Sequence, residues 1–298
     1  MTVPVIEVKG LKKQYGSLEA VRGVDFKIEP GEVVSILGPN GAGKTTTVEM
    51  LEGYLKPSEG FISVFGEDPF KAKAAFKKKI GIVLQESGAE PFMKVREILN
   101  QRSRYYDEKI EVDDLLGNVG LTHKANSRIA KLSGGERRRL DVALALIGKP
   151  DLIYLDEPTT GFDPSARHAS WDIFKKLRTE GRTILLTTHY MDEAENLSDR
   201  VIVMSKGKVI ANGSPQNIGN QEGYLTWISF TASQCIDLPF EIEEENGRFS
   251  FKSKEVVKDL NRLTTIALEL NLDLIDLEVK RPSLEDVFLE LINEDGKY

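Results

Sequence analysis

The stretch VVSILGPNGAGKTTT, residues 33–47, decides how the rest of the chain is read. An apolar run, Val33 to Leu37, stops at Gly38-Pro39-Asn40-Gly41-Ala42-Gly43-Lys44-Thr45, and Thr46 and Thr47 lead into a helical pattern. A strand, a glycine-rich turn and a helix start in that order make a phosphate cradle. Gly38, Gly41 and Gly43 lack a Cβ, so the chain can take positive φ there and aim successive N–H groups at one anion. Lys44 adds a point charge for the terminal phosphates, Thr45 offers a hydroxyl to Mg²⁺, and the helix contributes its positive end. The competing reading is an ordinary glycine-rich turn, which gives no reason for Lys and Thr to follow in register.

At 298 residues the chain has room for one large domain or two modest ones. A net charge of −7 argues against sequence-independent nucleic-acid binding, which rests on a basic surface. The lone Cys235 excludes an intrachain disulfide and fits a reducing cytoplasm or, more simply, a small buried apolar position. The start, MTVPVIEVKG, lacks the basic and apolar regions of a leader, and no stretch approaches the length of a membrane span. The expectation is a chain that neither crosses a membrane nor is exported, so that any crossing belongs to another subunit.

Strands are expected at residues 5–8 and 21–28, ahead of the phosphate loop. Tyr15, in KQYG, either stacks on a purine ring or is half-buried packing. A helix over 47–55 is broken by Pro57 and Gly60, and a short strand follows at 61–65. Residues 80–84 read as a buried strand ending on Gln85. Ligands sit outside the carboxyl ends of parallel strands, so Gln85 either meets a metal or water there or caps a turn.

Helices over 95–107 and 112–119 make a helical insert. It ends at Leu132-Ser133-Gly134-Gly135-Glu136, before apolar positions Leu140, Ala143, Leu144 and Ile147 on one helical face. Ser133 is then an N-cap, and Gly134 and Gly135 present N–H groups at the positive end. Alone, this is a well-capped helix, with Arg137, Arg138 and Arg139 as a solvated first turn.

Asp151-Leu152-Ile153-Tyr154-Leu155-Asp156-Glu157 is a buried strand ending in two carboxylates. At such an end Asp156 can face a metal and Glu157 can orient or deprotonate an attacking water, which phosphoryl transfer requires. Two solvated loop acids are the alternative. Residues 183–188 form another buried strand, ending on His189, a suitable donor to a phosphate. A hairpin over 201–211 closes this part of the chain. From residue 224 onward the pattern becomes strand, hairpin near Asn246-Gly247, helix, strand and a last helix, with no catalytic constellation.

The phosphate loop, Gln85, LSGGE (132–136), LIYLDEP (152–158), TGFD (160–163) and His189 occur in the order found in ATP-binding subunits of ABC transporters, and the chain resembles that family over residues 1–219. The resemblance is specific, because LSGG followed by a strand ending in DE belongs to few other phosphate-loop ATPases. It implies an α/β fold, a phosphate-loop NTPase (ABC ATPase) core with a helical insert at about 86–150 and an antiparallel β subdomain, to which the residue pattern of 224–298 adds a small C-terminal α+β domain.

By the same resemblance Tyr15 stacks on adenine, while Gly38, Pro39, Asn40, Gly41, Ala42, Gly43, Lys44, Thr45 and Thr46 wrap the phosphates of ATP. Thr45, Gln85 and Asp156 hold Mg²⁺, with Gln85 linking metal to membrane subunit. Glu157 is the catalytic base and His189 the γ-phosphate sensor. Ser133, Gly134 and Gly135 contact ATP held by a second subunit's loop. The implied partners are an integral-membrane permease and a second ATPase copy, as a homodimer or a heterodimer with a related subunit, and no nucleic acid. The implied place is the inner face of the cell membrane. The tail, with SLEDVFLEL (283–291), resembles the multidrug and antibiotic-exporter (ABC-2) branch.

Two positions depart from the family pattern: Glu136 stands where Gln is common, and Phe162 where Leu is common. Neither removes a phosphate donor or a metal ligand. The rival reading, a soluble ABC-type ATPase acting on nucleic acid or ribosomes, would bring tandem cassettes, a coiled-coil insert or a basic face, which this sequence lacks. A non-hydrolysing binding module ranks last, since every expected polar group is present.

Overall fold

The computed structural model describes residues 3–83, 90–218, 226–232, 239–245, 247–280, 284, 285 and 288. It divides into two compact units, Met1–Ser214 and Pro215–Tyr298.

In the first unit β1 (Ile6–Tyr15) and β2 (Leu18–Ile28) form an antiparallel hairpin. Next come β3 (Val33–Leu37), α1 (Lys44–Leu51) and β4 (Glu59–Val64). β4 returns to β1, so a three-stranded antiparallel sheet runs β2-β1-β4. α2 (Ala74–Lys77) and β5 (Ile80–Val83) lead to α3 (Val95–Ser103), α4 (Val112–Asn118) and α5 (Gly134–Leu146). β6 (Leu152–Asp156), α6 (Pro164–Thr179), β7 (Thr183–Thr188) and α7 (Met191–Leu197) follow. The hairpin of β8 (Arg200–Ser205) and β9 (Lys208–Gly213) turns through Lys206 and Gly207, both at positive φ as a tight two-residue turn requires.

The second sheet has six strands in the order β5-β6-β7-β3-β8-β9, parallel except for the final pair. A parallel sheet is covered on both faces, and accordingly every residue of β3 and β7 is buried. Alternation along β6 assigns its side chains to two cores. Ile153 and Leu155 pack with Leu115, Leu140, Trp171 and Phe174 from the helices, whereas Leu152 and Tyr154 pack with Ile6, Phe26, Met50 and Leu51 beneath the antiparallel sheet. The helical expectation for 95–107 holds only to Ser103; beyond it Asp107 pairs with Lys78 at 2.6 Å.

In the second unit, α8 (Pro215–Ile218) precedes β10 (Thr226–Thr231), β11 (Glu243–Glu245), β12 (Arg248–Ser253), α9 (Val256–Glu269) and β13 (Ile275–Lys280). The strands form an antiparallel sheet in the order β11-β12-β10-β13. Its core is Ile228, Phe230, Phe249 and Phe251 with Leu263 of α9, and Phe240 stacks on Phe251 at 4.1 Å. Of the expected last helix, Leu284, Glu285 and Phe288 are described; all three are helical, and Leu284 and Phe288 are buried. Cys235 and Asn246 lie outside the described residues.

Candidate active site

The order of the large sheet sets β6, β7 and β3 side by side, so the segments that follow their carboxyl ends share one edge. Behind β3 the loop is shaped by close approaches that only glycine permits. A Cβ on Gly38 would lie 2.4 Å from the Met204 carbonyl oxygen, and one on Gly43, at φ 97°, would lie 2.5 Å from that of Ala20. α1 starts at Lys44. The loop is braced from within by Ala42 N–H donating to Pro39 O (3.1 Å) and Thr47 Oγ1 to Gly43 O (2.8 Å). Asn40, Gly41 and Thr45 face outward.

Lys44 is buried, and its Nζ donates to Gly38 O (2.8 Å) and Pro39 O (3.2 Å) while lying 3.7 Å from Glu157 Oε1. Burial pushes its pKa down, and the carboxylates of Glu157 and Asp156 oppose that push. The sequence places these residues more than a hundred positions apart. The parallel order brings them together.

Asp156 closes β6 in register with Thr187 of β7. Thr187 Oγ1 donates to Asp156 Oδ1 (2.5 Å) and accepts from Glu157 N–H (3.0 Å), so one hydroxyl orients both acids. Glu157 stands at φ 44°, a left-handed conformation that costs a non-glycine residue roughly 1–3 kcal/mol. Thr160 Oγ1 donates to Glu157 Oε2 (3.1 Å), and His189 Nδ1 lies 3.5 Å from Glu157 Oε1.

Two further buried charges hold the surrounding loops. Arg138 of α5 donates from Nε to Pro158 O (3.0 Å) and from Nη2 to Asp156 O (2.9 Å). The solvated first turn expected for residues 137–139 is therefore corrected: Arg138 is buried because it shares a helical face with Asp141, Val142 and Ala145, three, four and seven positions on. Glu193 of α7 is fully buried and accepts from Thr159 Oγ1 (2.9 Å) and Trp171 Nε1 (3.3 Å), with its pKa raised by that burial. Thr187 and Glu193 belong to no motif in the sequence, and Arg138 reads there as one of three solvated arginines. A threonine two residues before a strand-ending histidine and the helical phase of Arg138 were the available signals.

The remaining sites fall as follows. Tyr15 ends β1 as an exposed residue (45%), on the hairpin whose Ala20 abuts the phosphate loop. Ser133 caps α5 in a reciprocal box, Glu136 N–H to Ser133 Oγ (3.2 Å) and Ser133 N–H to Glu136 Oε2 (3.0 Å), which holds the Glu136 carboxyl below its ordinary range. Ser133 and Gly134 are exposed, and the hydrogen bonds of Ser133 among the described residues run within α5 rather than to the phosphate loop of the same chain. Gln85 lies outside the described residues.

The arrangement has amides and an ammonium for a polyphosphate, a carboxylate beside them able to accept a proton, and an imidazole at the rim. No helix among the described residues is long and apolar enough to cross a membrane. The ABC transporter family model matches residues 21–160. The Nod factor export ATP-binding protein I of Burkholderia orbicola (strain AU 1054) is 43% identical over 228 residues, covering 74% of this chain and 75% of that protein. The protein of the same name from Burkholderia pseudomallei (strain 1710b) is 37% identical over 302 residues, covering 99% of each. A dimeric ATP-binding cassette solved in a post-hydrolysis state with ADP and Pi superposes with a TM-score of 0.62 at 26% identity, covering 70% of this chain and 98% of that one. With this fold, this site and relatives that match it end to end, the chain belongs to the ABC transporter family as an ATP-binding subunit, an ATPase whose hydrolysis of ATP is coupled to transport.

Proposed function

We propose that this chain is the motor of an exporter of the ABC-2 branch, which drives a separate membrane permease and moves drug-like or other hydrophobic compounds outward. The observation that carries the reading is the convergence of Lys44, Asp156, Glu157 and His189 at one sheet edge, in a chain that matches a relative named for export along its whole length. The motor proper is residues 1–219, and 224–298 form an accessory domain without phosphate ligands. Held by its permease, the subunit works at the cytoplasmic face of the cell membrane.

In this reading the loop amides and Lys44 grip the β- and γ-phosphates, and Tyr15 stacks on the adenine. Glu157 takes a proton from the attacking water. His189, whose Nδ1 lies 3.5 Å from Glu157 Oε1, would use Nε2 for the γ-phosphate. The oxygen donors present suit a hard cation: the Asp156 carboxylate is fixed by Thr187, and Thr45 is exposed at the first turn of α1. Thr45 and Asp156, with Gln85, would hold Mg²⁺, which neutralises phosphate charge when bound. The exposed Ser133 and Gly134 serve ATP bound to a second copy, so two copies close head to tail around two nucleotides.

Two measurements test the proposal. Purified from native membranes, the chain is expected to bring a polytopic membrane protein with it, and the complex to hydrolyse ATP faster in the presence of transported compound. Glu157→Gln protein sedimenting with ATP is expected to run as a dimer. Absence of any membrane partner, or no mass change on adding ATP, would contradict the reading.

A further inference from the structure

The Arg138 guanidinium bridges the carbonyls on either side of Glu157, donating to Asp156 O at 2.9 Å and Pro158 O at 3.0 Å. Glu157 is the site residue held at φ 44°, a conformation that persists only where its surroundings determine it. From the β7 side Thr187 O and Oγ1 receive the Glu157 N–H at 3.2 and 3.0 Å. From the other side Arg138 grips the flanking carbonyls, so Glu157 is clamped between β7 and α5. Arg138 is itself 7% exposed, with Asp141, Asp156 and Glu193 supplying the negative charge around it. A guanidinium holds its two acceptors from separate nitrogens of one rigid planar fork, a spacing that the single nitrogen of a lysine ammonium with its rotating donors does not fix.

α5 is one uninterrupted helix from Gly134 to Leu146 with Ser133 as its cap, so Arg138 sits about 7.5 Å along the axis from the cap. The cap is exposed and Arg138 is buried, so a displacement at one end of this rigid element is delivered to the other. We propose that Arg138 is a positioning residue that ties the Ser133 end of α5 to Glu157 of the same copy. The inference rests on the proposed head-to-tail dimer. There, Ser133 of one copy touches the nucleotide bound to the other, while Glu157 serves the nucleotide of its own copy. Arg138 then makes each Glu157 report on occupancy of the opposite site, and hydrolysis at the two sites becomes cooperative.

The test uses the full chain. Wild type is expected to hydrolyse ATP with a Hill coefficient above one. Arg138→Lys and Arg138→Gln are expected to keep ATP affinity and ATP-dependent dimerisation, lose about tenfold or more in kcat, and fall to a Hill coefficient of one. A folded Arg138 variant with wild-type kcat and cooperativity, or a non-cooperative wild type, would overturn the inference. Failure of the underlying reading shows elsewhere: Glu157→Gln would then hydrolyse ATP normally, or Ser133→Ala would dimerise with ATP as well as wild type. If neither Arg138 variant folds, hydrogen exchange at the Glu157 amide replaces them, with Arg138 intact. Exchange is expected to slow when ATP is added to wild type and not to slow in Ser133→Ala. Equal slowing in both proteins would overturn the coupling.

Discussion

The ammonium of Lys44 lies 3.7 Å from the carboxylate of Glu157, and both side chains are largely shielded from water, at 5% and 12% exposure. The pair joins the loop behind β3 to the loop behind β6, and the carboxylate opposes the lowering of the Lys44 pKa by burial. If Lys44 grips a phosphate as proposed, removing its ammonium takes away a buried cation at the loop. Lys44→Ala is therefore expected to weaken ATP binding about tenfold or more, as loss of a charge-assisted hydrogen bond implies. Equilibrium binding of a fluorescent ATP analogue measures it. Unchanged affinity would count against the phosphate assignment.

Thr187 gives one hydroxyl to both acids. Thr187→Val keeps the shape of the strand and removes that hydroxyl, so Asp156 loses its orienting donor and the Glu157 amide keeps only the Thr187 carbonyl. The expected result is a fall of roughly 10–100-fold in kcat with little change in KM, as for other groups that orient a site residue. A rise in KM at constant kcat would assign Thr187 to binding instead.

Glu52, at the carboxyl end of α1, has its pKa pushed up to about 8, first by burial, then by Asp156 and Glu49. Between its ordinary 4.5 and about 8 the folded chain holds a proton that the unfolded chain releases, so stability falls as pH rises through that window. Glu52→Gln cannot ionise and should flatten this dependence, gaining on the order of a few kcal/mol over wild type above the window and little below it. Urea unfolding at pH 5 and pH 9 checks the sign; parallel shifts at both would contradict it.

Phe92 is 81% exposed, whereas its neighbour Met93 packs against the helical core. The two apolar side chains that look alike in the sequence thus have different places. Phe92→Ala is expected to alter stability by no more than about 0.5 kcal/mol and to leave ATPase activity of the isolated chain intact, as for an exposed position. If this surface receives the permease, the variant should no longer bring it through purification. Retention of the permease would place docking elsewhere.

Much of the site was legible because a parallel sheet writes itself plainly. β3 (VVSIL) and β7 (TILLTT) are buried at every position and centre on apolar residues, and the glycine loop after β3, the carboxylate that ends β6 and the threonines that end β7 stand out against them. The sequence is silent about neighbours. Thr187 looks like an ordinary strand threonine until the pairing of β6 with β7 sets it opposite Asp156. Arg138 looks like one of three surface arginines until helical phase turns it inward. β1 runs to Tyr15 rather than ending near residue 8, since its register shifts break the alternation that would reveal a strand. The left-handed backbone at Glu157 leaves no trace in residue type.

Turnover by Glu157→Gln, with ATP binding measured on the same preparation, tests most directly the claim that this site hydrolyses ATP through that carboxylate. The amide keeps the side-chain shape and can still accept from Thr160, but it cannot take a proton from water. ATP affinity should stay within a few-fold of wild type while the rate falls by roughly 10²–10⁴-fold, the usual weight of a general base. A Glu157→Gln protein that binds ATP and hydrolyses it at the wild-type rate would contradict the account.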